Sequence, residues 1–387
     1  VAGLLFAVHP VHVEAVANVV GRNEAMAALF TLLAVYGAVV RHSVGWSAAA
    51  MAAGILSKEN AAVAPGLVGL AWAVGLAPLP SRRKLVAFLT SWGVLAAGYG
   101  LLRWSVLHEY GNGPALAPVF LGEGPATIRL TAVAALPDVA RLLVFPLDLT
   151  ADYSPNERTA VTTVLHGRFA LGFTCLAVWA ALFVVAWRRG RRLEAFGLGW
   201  IGIAYLPVAN LLFPHAVLVA ERLLYLPSAG LALAAGAGLG RLPPRRVALF
   251  AALLVLAGGV RSALRVPVWR NNATAALSLV ADAPDSYRTW DYAGWELLWR
   301  GNSGRALESF RRAGEIYSRD ARVWLAAAHM ALVLGRPALA DSLLDRANAA
   351  CDRCVRAYRD QAGAARLRGD GAAADTLLAR AARLRSP

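Results

Sequence analysis

The sequence predicts an all-α protein in two parts, a polytopic bundle of transmembrane helices followed by a solenoid of short helix pairs. Three observations predict it. The 387 residues are 58% hydrophobic and only 16% charged, with a mean hydropathy of +0.51, the profile of a chain that crosses a membrane several times. The apolar residues fall in long runs separated by short basic clusters. Beyond about residue 269 those runs stop and a fixed 34-residue recurrence replaces them.

The chain opens with the apolar segment Val1–Val8. It is too short to cross a bilayer, which needs ~20 apolar residues, so it reads as the end of a helix that starts upstream and the sequence as N-terminally truncated. No signal peptide can be judged. His9-Pro10-Val11-His12-Val13-Glu14 follows, then Arg22-Asn23-Glu24. Ionisable residues clustered at a membrane edge are candidates for function by default, against the alternative of a solvated loop.

Further apolar segments, all read as helices, cover 24–40, 45–56, 61–77, 84–104, 168–187, 195–212, 223–240 and 246–263. Between them lie Arg41-His42, Arg82-Arg83-Lys84, Arg188 with Arg189, Arg191 and Arg192, and Arg241 with Arg245 and Arg246. The formal charge of +15 is therefore not one nucleic-acid-binding patch; it is the positive-inside pattern plus a basic tail. Only Lys58 and Lys84 are lysines. That arginine bias, with abundant Ala and Gly, suggests a GC-rich bacterial genome and hence a bacterial inner membrane.

Placing all four basic clusters on the cytoplasmic side requires that 124–147 not cross the membrane. Thr127 to Phe145 carries Arg129, Pro137, Asp138 and Arg141, and reads as an interfacial or re-entrant amphipathic segment. The regions 9–23, 57–60, 105–167 and 213–222, and everything after about 264, then share the periplasmic face. The expected domains are 1–265 in the membrane and 266–387 outside it.

In the second domain Trp290, Trp324 and Tyr358 are 34 residues apart, as are Gly301, Gly335 and Gly369. Ala306, Ala340 and Ala374 repeat the step, followed by Phe310, Leu344 and Leu378, and by Ala313, Ala347 and Ala381. An aromatic, a turn glycine and small residues in these slots are the tetratricopeptide signature, giving three units near 287–320, 321–354 and 355–387. The proline expected at the end of each unit is absent. Such grooves bind extended peptides, but the groove-facing residues look unremarkable and leave the partner open.

Of three cysteines, Cys175 lies in an apolar run, and Cys351 and Cys354 form one CxxC, too few ligands for a structural zinc. The pair is either a local disulfide or inert.

Four constellations fall on the predicted outer face. They are His9, His12, Glu14, Arg22 and Glu24; Ser57-Lys58-Glu59-Asn60; Asp148, Asp152 and Tyr153; and Pro214-His215 with Glu221, Arg222 and Tyr225. Lys58 and Arg222 suit a clamp on a lipid-linked phosphate. A carboxylate among Glu14, Glu59 and Asp152 suits proton abstraction from an acceptor hydroxyl. The bland alternative is that Lys58–Glu59 and Glu221–Arg222 only pair with helix ends. His9 and His12 have a zinc-compatible spacing, with Glu14 or His215 as a third ligand, but no zincin pattern exists. No metal or cofactor is assigned, and divalent-metal dependence stays open. There is no Walker loop and no GxSxG.

FAVHPVHVEAVANVVGRNEAMAALF, LSKENA, FPLDLTADYS and NLLFPHAVLVAERLLYLPSAGL, followed by the repeats, resemble the transmembrane and tetratricopeptide repeat-containing O-mannosyltransferases of the C-type glycosyltransferase superfamily. The resemblance implies a polytopic, inverting enzyme that moves a mannose-like hexose from a polyprenyl-phosphate donor to a protein or glycan hydroxyl outside the cytoplasm, with the repeats presenting the acceptor. Residue by residue, His9, His12, Glu14 and Arg22 match the family's outer-loop motif, Lys58 and Glu59 its SKEN motif, and Glu221, Arg222 and Tyr225 its ER-LYLPS motif. The family's acidic pair lies upstream of HPVH, outside this sequence, so the chain alone is expected to be inactive. Two other readings are an O-antigen ligase or polymerase-like enzyme and a non-catalytic membrane-anchored scaffold. The first calls for a large outer loop rich in Arg and His, whereas 105–167 has few and scattered ones.

Overall fold

The computed structural model describes residues 1–110, 116–144, 146–150, 152–351 and 355–383, which form helices and connecting turns without a strand among them. The chain divides into two compact units, residues 1–151 with 160–269 and residues 152–159 with 270–387.

In the first unit, α1 (Ala2–Ala7) and α2 (Val13–Ala17) are short and flank a tight 3-10 turn at Pro10–His12. All eight apolar segments of the sequence are helical. They are α3 (Arg22–Val39), α4 (Val44–Ser57), α5 (Ala64–Ala73) and α6 (Arg82–Tyr110), then, past α7 (Pro125–Ala134) and α8 (Leu136–Val144), α9 (Gly167–Arg188), α10 (Arg192–Tyr205), α11 (Tyr225–Leu239) and α12 (Pro244–Arg265). Five helices among the described residues are long and apolar enough to cross a membrane, over Val19–Val39, Arg82–Leu107, Gly167–Arg188, Glu221–Leu239 and Pro244–Arg270. The first unit is a multi-pass membrane bundle. The amphipathic stretch of the sequence becomes α7 and α8, both too short to span.

Helix pairing sets two distinct ends. The α3–α4 hairpin turns at Arg41-His42, where Ser43 Oγ accepts from the Trp46 amide at 3.3 Å and starts α4. At its other end Glu24, in the first turn of α3, meets Lys58 just past α4. The α10–α11 pair repeats this arrangement. Arg241 Nε reaches Glu194 at 2.5 Å at the basic end, and Arg222 lies just before the start of α11 at the other. Midway, Gly197 faces the backbone of Gly230, so that a Cβ on either would strike the other's carbonyl oxygen. Small residues at a helix crossing let backbones close up where lipid supplies no hydrophobic drive.

Length matters as well. α4 has 14 residues and α5 has 10, rising ~21 and ~15 Å at 1.5 Å per residue against a hydrocarbon core of ~30 Å. The polar turn Ser57–Asn60 thus joins two helices each too short to cross that core alone.

The second unit is built from hairpins. After α13 (Asn272–Asp282), the pairs are α14 (Tyr287–Trp299) with α15 (Ser303–Ile316), α16 (Ala321–Val333) with α17 (Pro337–Ala350), and α18 (Val355–Leu367) with α19 (Gly371–Arg383). First helices start 34 residues apart, and so do second helices. Gly301, Gly335 and Gly369 all take positive φ, of 75°, 68° and 84°, at the turn inside each pair, a left-handed position that suits glycine. Contacts recur with the step. Trp290 Nε1 donates to the Pro284 carbonyl at 2.8 Å and Trp324 Nε1 to that of Ser318 at 3.2 Å. Arg346 lies over the Trp324 ring and Arg380 over Tyr358. Trp324, Phe310 and Leu344 fill the core among alanines.

The segment 152–159 belongs to this second unit, whereas the sequence puts it in the membrane domain; its backbone explains the difference. The Asn156 amide donates to the Asp285 carbonyl and the Tyr287 amide to that of Pro155, each at 2.8 Å. Cys351 is disulfide-bonded and Cys175 is free; Cys354 lies outside the described residues. Tyr292, Trp295 and Trp299 are exposed along α14, Trp299 to 86%, so this unit's surface is less ordinary than the sequence suggests.

Candidate active site

The outer-end cluster of the first unit is built on a chain that doubles back at its start. Pro10 opens the 3-10 turn, and His9 caps it by accepting from the Val11 amide at 3.3 Å through Nδ1. With Nδ1 an acceptor, Nε2 carries the proton and donates to the Leu143 carbonyl at 2.9 Å. Burial holds the pKa of His9 below its usual value. His9 is thus a neutral tie to the end of α8, with neither nitrogen left for a metal.

His12 is 6% exposed and packs between Phe6 and Tyr225, ring centroids 4.5 and 4.4 Å away. Its Nε2 lies 2.6 Å from Ser228 Oγ, which itself donates to the Tyr225 carbonyl at 2.7 Å. Burial, reinforced by the neighbouring His9, pushes its pKa down to about 3. The HxH pair therefore serves packing and hydrogen bonding. Among the described residues no group of three or more His, Cys, Asp or Glu is placed to hold a metal ion.

The charged residues meet in two ion pairs of the same design. Glu14, 1% exposed, accepts from the Arg222 backbone amide at 2.8 Å and from its guanidinium. Glu24, 6% exposed, receives the Lys58 ammonium and, at 3.3 Å, the Asn60 side-chain amide. In each the carboxylate is sealed while the cation keeps an open side, 32% for Arg222 and 16% for Lys58. Gly21 makes the first pair possible: a Cβ there would sit 2.7 Å from the Glu14 carbonyl oxygen, so the turn back into α3 closes only on glycine.

His215 feels the same cations. The cations of Lys58 and Arg222 act on it, as does the carboxylate of Glu59. Its loop is knitted by Asn210, 1% exposed and left-handed at φ 58°, a conformation Asn tolerates better than most residues. Asn210 Oδ1 accepts from the His215 amide at 2.6 Å, and its Nδ2 donates to the carbonyls of Val217 and Val208 at 3.1 and 3.4 Å. The His215 carbonyl accepts from the Ala117 amide at 2.8 Å. Burial and then Lys58 lower the pKa of its ring, and Nδ1 is buried with no hydrogen-bond partner among the described residues.

The remaining sequence candidates divide. Glu59 is half-exposed, 3.6 Å from Arg103. Arg22 is exposed at the start of α3. Glu221 is fully buried in the turn that leads to Tyr225, whose ring lies on His12. Asp148 is exposed, its carbonyl held by Arg141. Asp152 belongs to the second unit, where Ser154 and Ser286 donate to its two carboxylate oxygens at 2.7 and 3.0 Å; Tyr153 lies there too, under Arg158. Sequence reasoning named Glu24, Asn60, His215 and Ser228 but gave none of them a committed role, and it missed Asn210. The only signal for Asn60 and Ser228 is their place in the SKEN and YLPS strings.

The arrangement offers a partly exposed pair of cations preset by buried carboxylates. Partly exposed Arg and Lys side chains so placed fit a phosphate.

No family model matches the chain. It is 26% identical to the human protein O-mannosyl-transferase TMTC3, over 83% of this chain and 39% of that protein. It is 28% identical to the mouse protein O-mannosyl-transferase TMTC4, over 80% of this chain and 48% of that one. With the Caenorhabditis elegans protein O-mannosyl-transferase F38B6.6 it shares 31% identity over 240 residues, 60% of this chain and 33% of that protein. The chain spans about two fifths to one half the length of the first two relatives. Over most of its length it is thus similar to the TMTC protein O-mannosyl-transferases.

Proposed function

We propose that this homologue of the TMTC proteins carries the donor-binding core of a membrane O-mannosyltransferase. It moves a mannose-like hexose from a polyprenyl-phosphate carrier to a hydroxyl of a protein or glycan acceptor, on the extracytoplasmic face of a bacterial inner membrane. The observation that carries this reading is the pair of partly exposed cations, Lys58 and Arg222, each backed by a sealed carboxylate, at the end of the bundle away from the basic clusters. A lipid-borne phosphate arriving from the bilayer would meet both.

The reaction is a single displacement with inversion. The acceptor oxygen bonds to the anomeric carbon, the bond from that carbon to the phosphate oxygen breaks with its electron pair on the phosphate, and a base takes the hydroxyl proton. Of the carboxylates named from sequence, Glu14 is sealed against Arg222 and Asp152 lies in the other unit, which leaves the half-exposed Glu59 for that work. The second unit reads as tetratricopeptide repeats that hold the acceptor, supported by its 34-residue hairpin step. The disulfide at Cys351 supports an oxidising compartment for it.

The test uses the full-length protein with a polyprenyl-phosphate mannose donor. Lys58→Met and Arg222→Met should each lower sugar transfer by about a hundredfold or more, the loss of ~3 kcal/mol of charge-assisted contact at a reacting phosphate, with the protein still assembled. Full transfer in both variants would favour the non-catalytic scaffold.

A further inference from the structure

The groups of this site do not all take part in the transfer chemistry so far described. His215 is held rigidly by its backbone, through Asn210 on one side and Ala117 on the other, yet its ring nitrogen Nδ1 is buried without a partner among the described residues. Among the described residues the loop is therefore closed through the main chain of His215 and not through Nδ1. The groups acting on the ring are Lys58 and Glu59 from the turn after α4, and Arg222 from the turn before α11. Burial first, and then the cation of Lys58, keep a proton off it; Glu59 opposes this and Arg222 adds to it.

We propose that His215 is a phosphate-linked proton acceptor: it is neutral in the empty site and takes a proton from water when a phosphate anion settles on Lys58 and Arg222. The inference rests on the phosphate reading of the same cluster. The physics is reciprocal. An anion on the two cations removes the charge that opposes protonation, and the imidazolium so formed adds a third positive charge facing the anion. Proton and phosphate each bind more tightly in the other's presence. The sign follows: phosphate affinity rises as pH falls through the range where His215 titrates. As negative charge grows on the departing phosphate, the same coupling would strengthen the grip on it.

The test is calorimetric titration of the full-length protein in lipid nanodiscs, at pH 6.5, in two buffers of different protonation enthalpy. The probe is the methyl diester of a short isoprenyl phosphate, whose charge is constant in this range, so any proton taken up belongs to the protein. A second arm uses dimethyl phosphate to separate a lipid-borne from a free phosphate. Wild type should take up about half a proton or more per probe bound. His215→Gln should still bind, several-fold more weakly, with no uptake. Uptake with either probe supports the proposal, and the tighter of the two identifies the source. Binding without uptake in wild type, or uptake retained in His215→Gln, overturns the role of His215 alone. If neither probe binds, the phosphate clamp itself fails, and this proposal with it. Should His215→Gln not assemble, the wild-type affinity for the diester decides: it must weaken from pH 6 to pH 8, and a flat profile overturns the proposal.

Discussion

Glu14 illustrates how one side chain joins folding to chemistry. Its carboxylate takes the Arg222 amide, which fixes the start of a helix, and the Arg222 guanidinium, which fixes the direction of a cation. Removing one partner of a fully buried pair costs ~3–5 kcal/mol, but Arg222 is one-third exposed, so water screens part of the loss. Glu14→Gln should therefore cost about 1–2 kcal/mol, read as a lower melting temperature in nanodiscs. A melting temperature equal to wild type would mean that the pair contributes nothing. In the second unit Asp291 offers a cleaner titration. Burial, then the nearby Asp320, raises its pKa from 3.8 to about 6, although Trp295 Nε1 donates to it at 3.1 Å. A carboxyl whose folded pKa is raised stabilises the fold fully below the unfolded value, and that contribution is lost as pH rises from about 4 through about 6. Asp291→Asn should thus strengthen α14 at pH 7.5 by about 1–2 kcal/mol and leave it unchanged at pH 4. Amide hydrogen exchange of α14 in the intact protein reads both. Equal protection at pH 7.5 would contradict the burial argument.

At the scale of elements, helix positions were legible because each rests on a local pattern. The eight apolar runs all became helices, and the 34-residue columns fell on matching positions of successive hairpins. What was not legible is tertiary. Glu14 and Arg222 are separated by 208 residues and Glu24 and Lys58 by 34, with no spacing rule to connect them. Of the charges adjacent in sequence, Lys58 pairs with Glu24 and Arg222 with Glu14, partners at other helix ends that their position in the sequence does not name. The role of His215 depends on one left-handed asparagine, which composition does not reveal, and Asp152 was misplaced because its segment pairs with a helix pair more than a hundred residues further on. The α10–α11 crossing could have been suspected from its glycines alone, and it makes a test. Gly230→Leu would drive a side chain into the Gly197 carbonyl and Trp200, and overpacking of this kind costs ~1–3 kcal/mol or more. The variant should melt lower and bind the phosphate diester more weakly, because Arg222 lies in the turn that leads into α11. Unchanged melting would show that the crossing is loose.

For the whole molecule, the two ends of the bundle define an orientation. In α3–α4 and again in α10–α11 the arginine clusters lie at one end, and the ion-paired acidic and basic residues at the other. Basic loops stay in the cytoplasm because translocating them opposes the positive-inside bias. The proposed topology then places the candidate cluster outside, where an oxidising compartment also suits the disulfide at Cys351. Three exposed positions decide the matter: Asn23 beside the cluster, Ser81 beside Arg82 and Arg83, and Ser342 in α17. With Cys175→Ser removing the free thiol, each is changed to cysteine in turn in the full-length protein, and intact cells are treated with a thiol reagent that does not cross the inner membrane. Asn23→Cys and Ser342→Cys should react at once, and Ser81→Cys only after the membrane is permeabilised. Labelling of Ser81→Cys in intact cells would invert the bundle and leave the cluster facing the cytoplasm. Labelling of Asn23→Cys without Ser342→Cys would keep the donor site outside but remove the repeats from any part in presenting the acceptor.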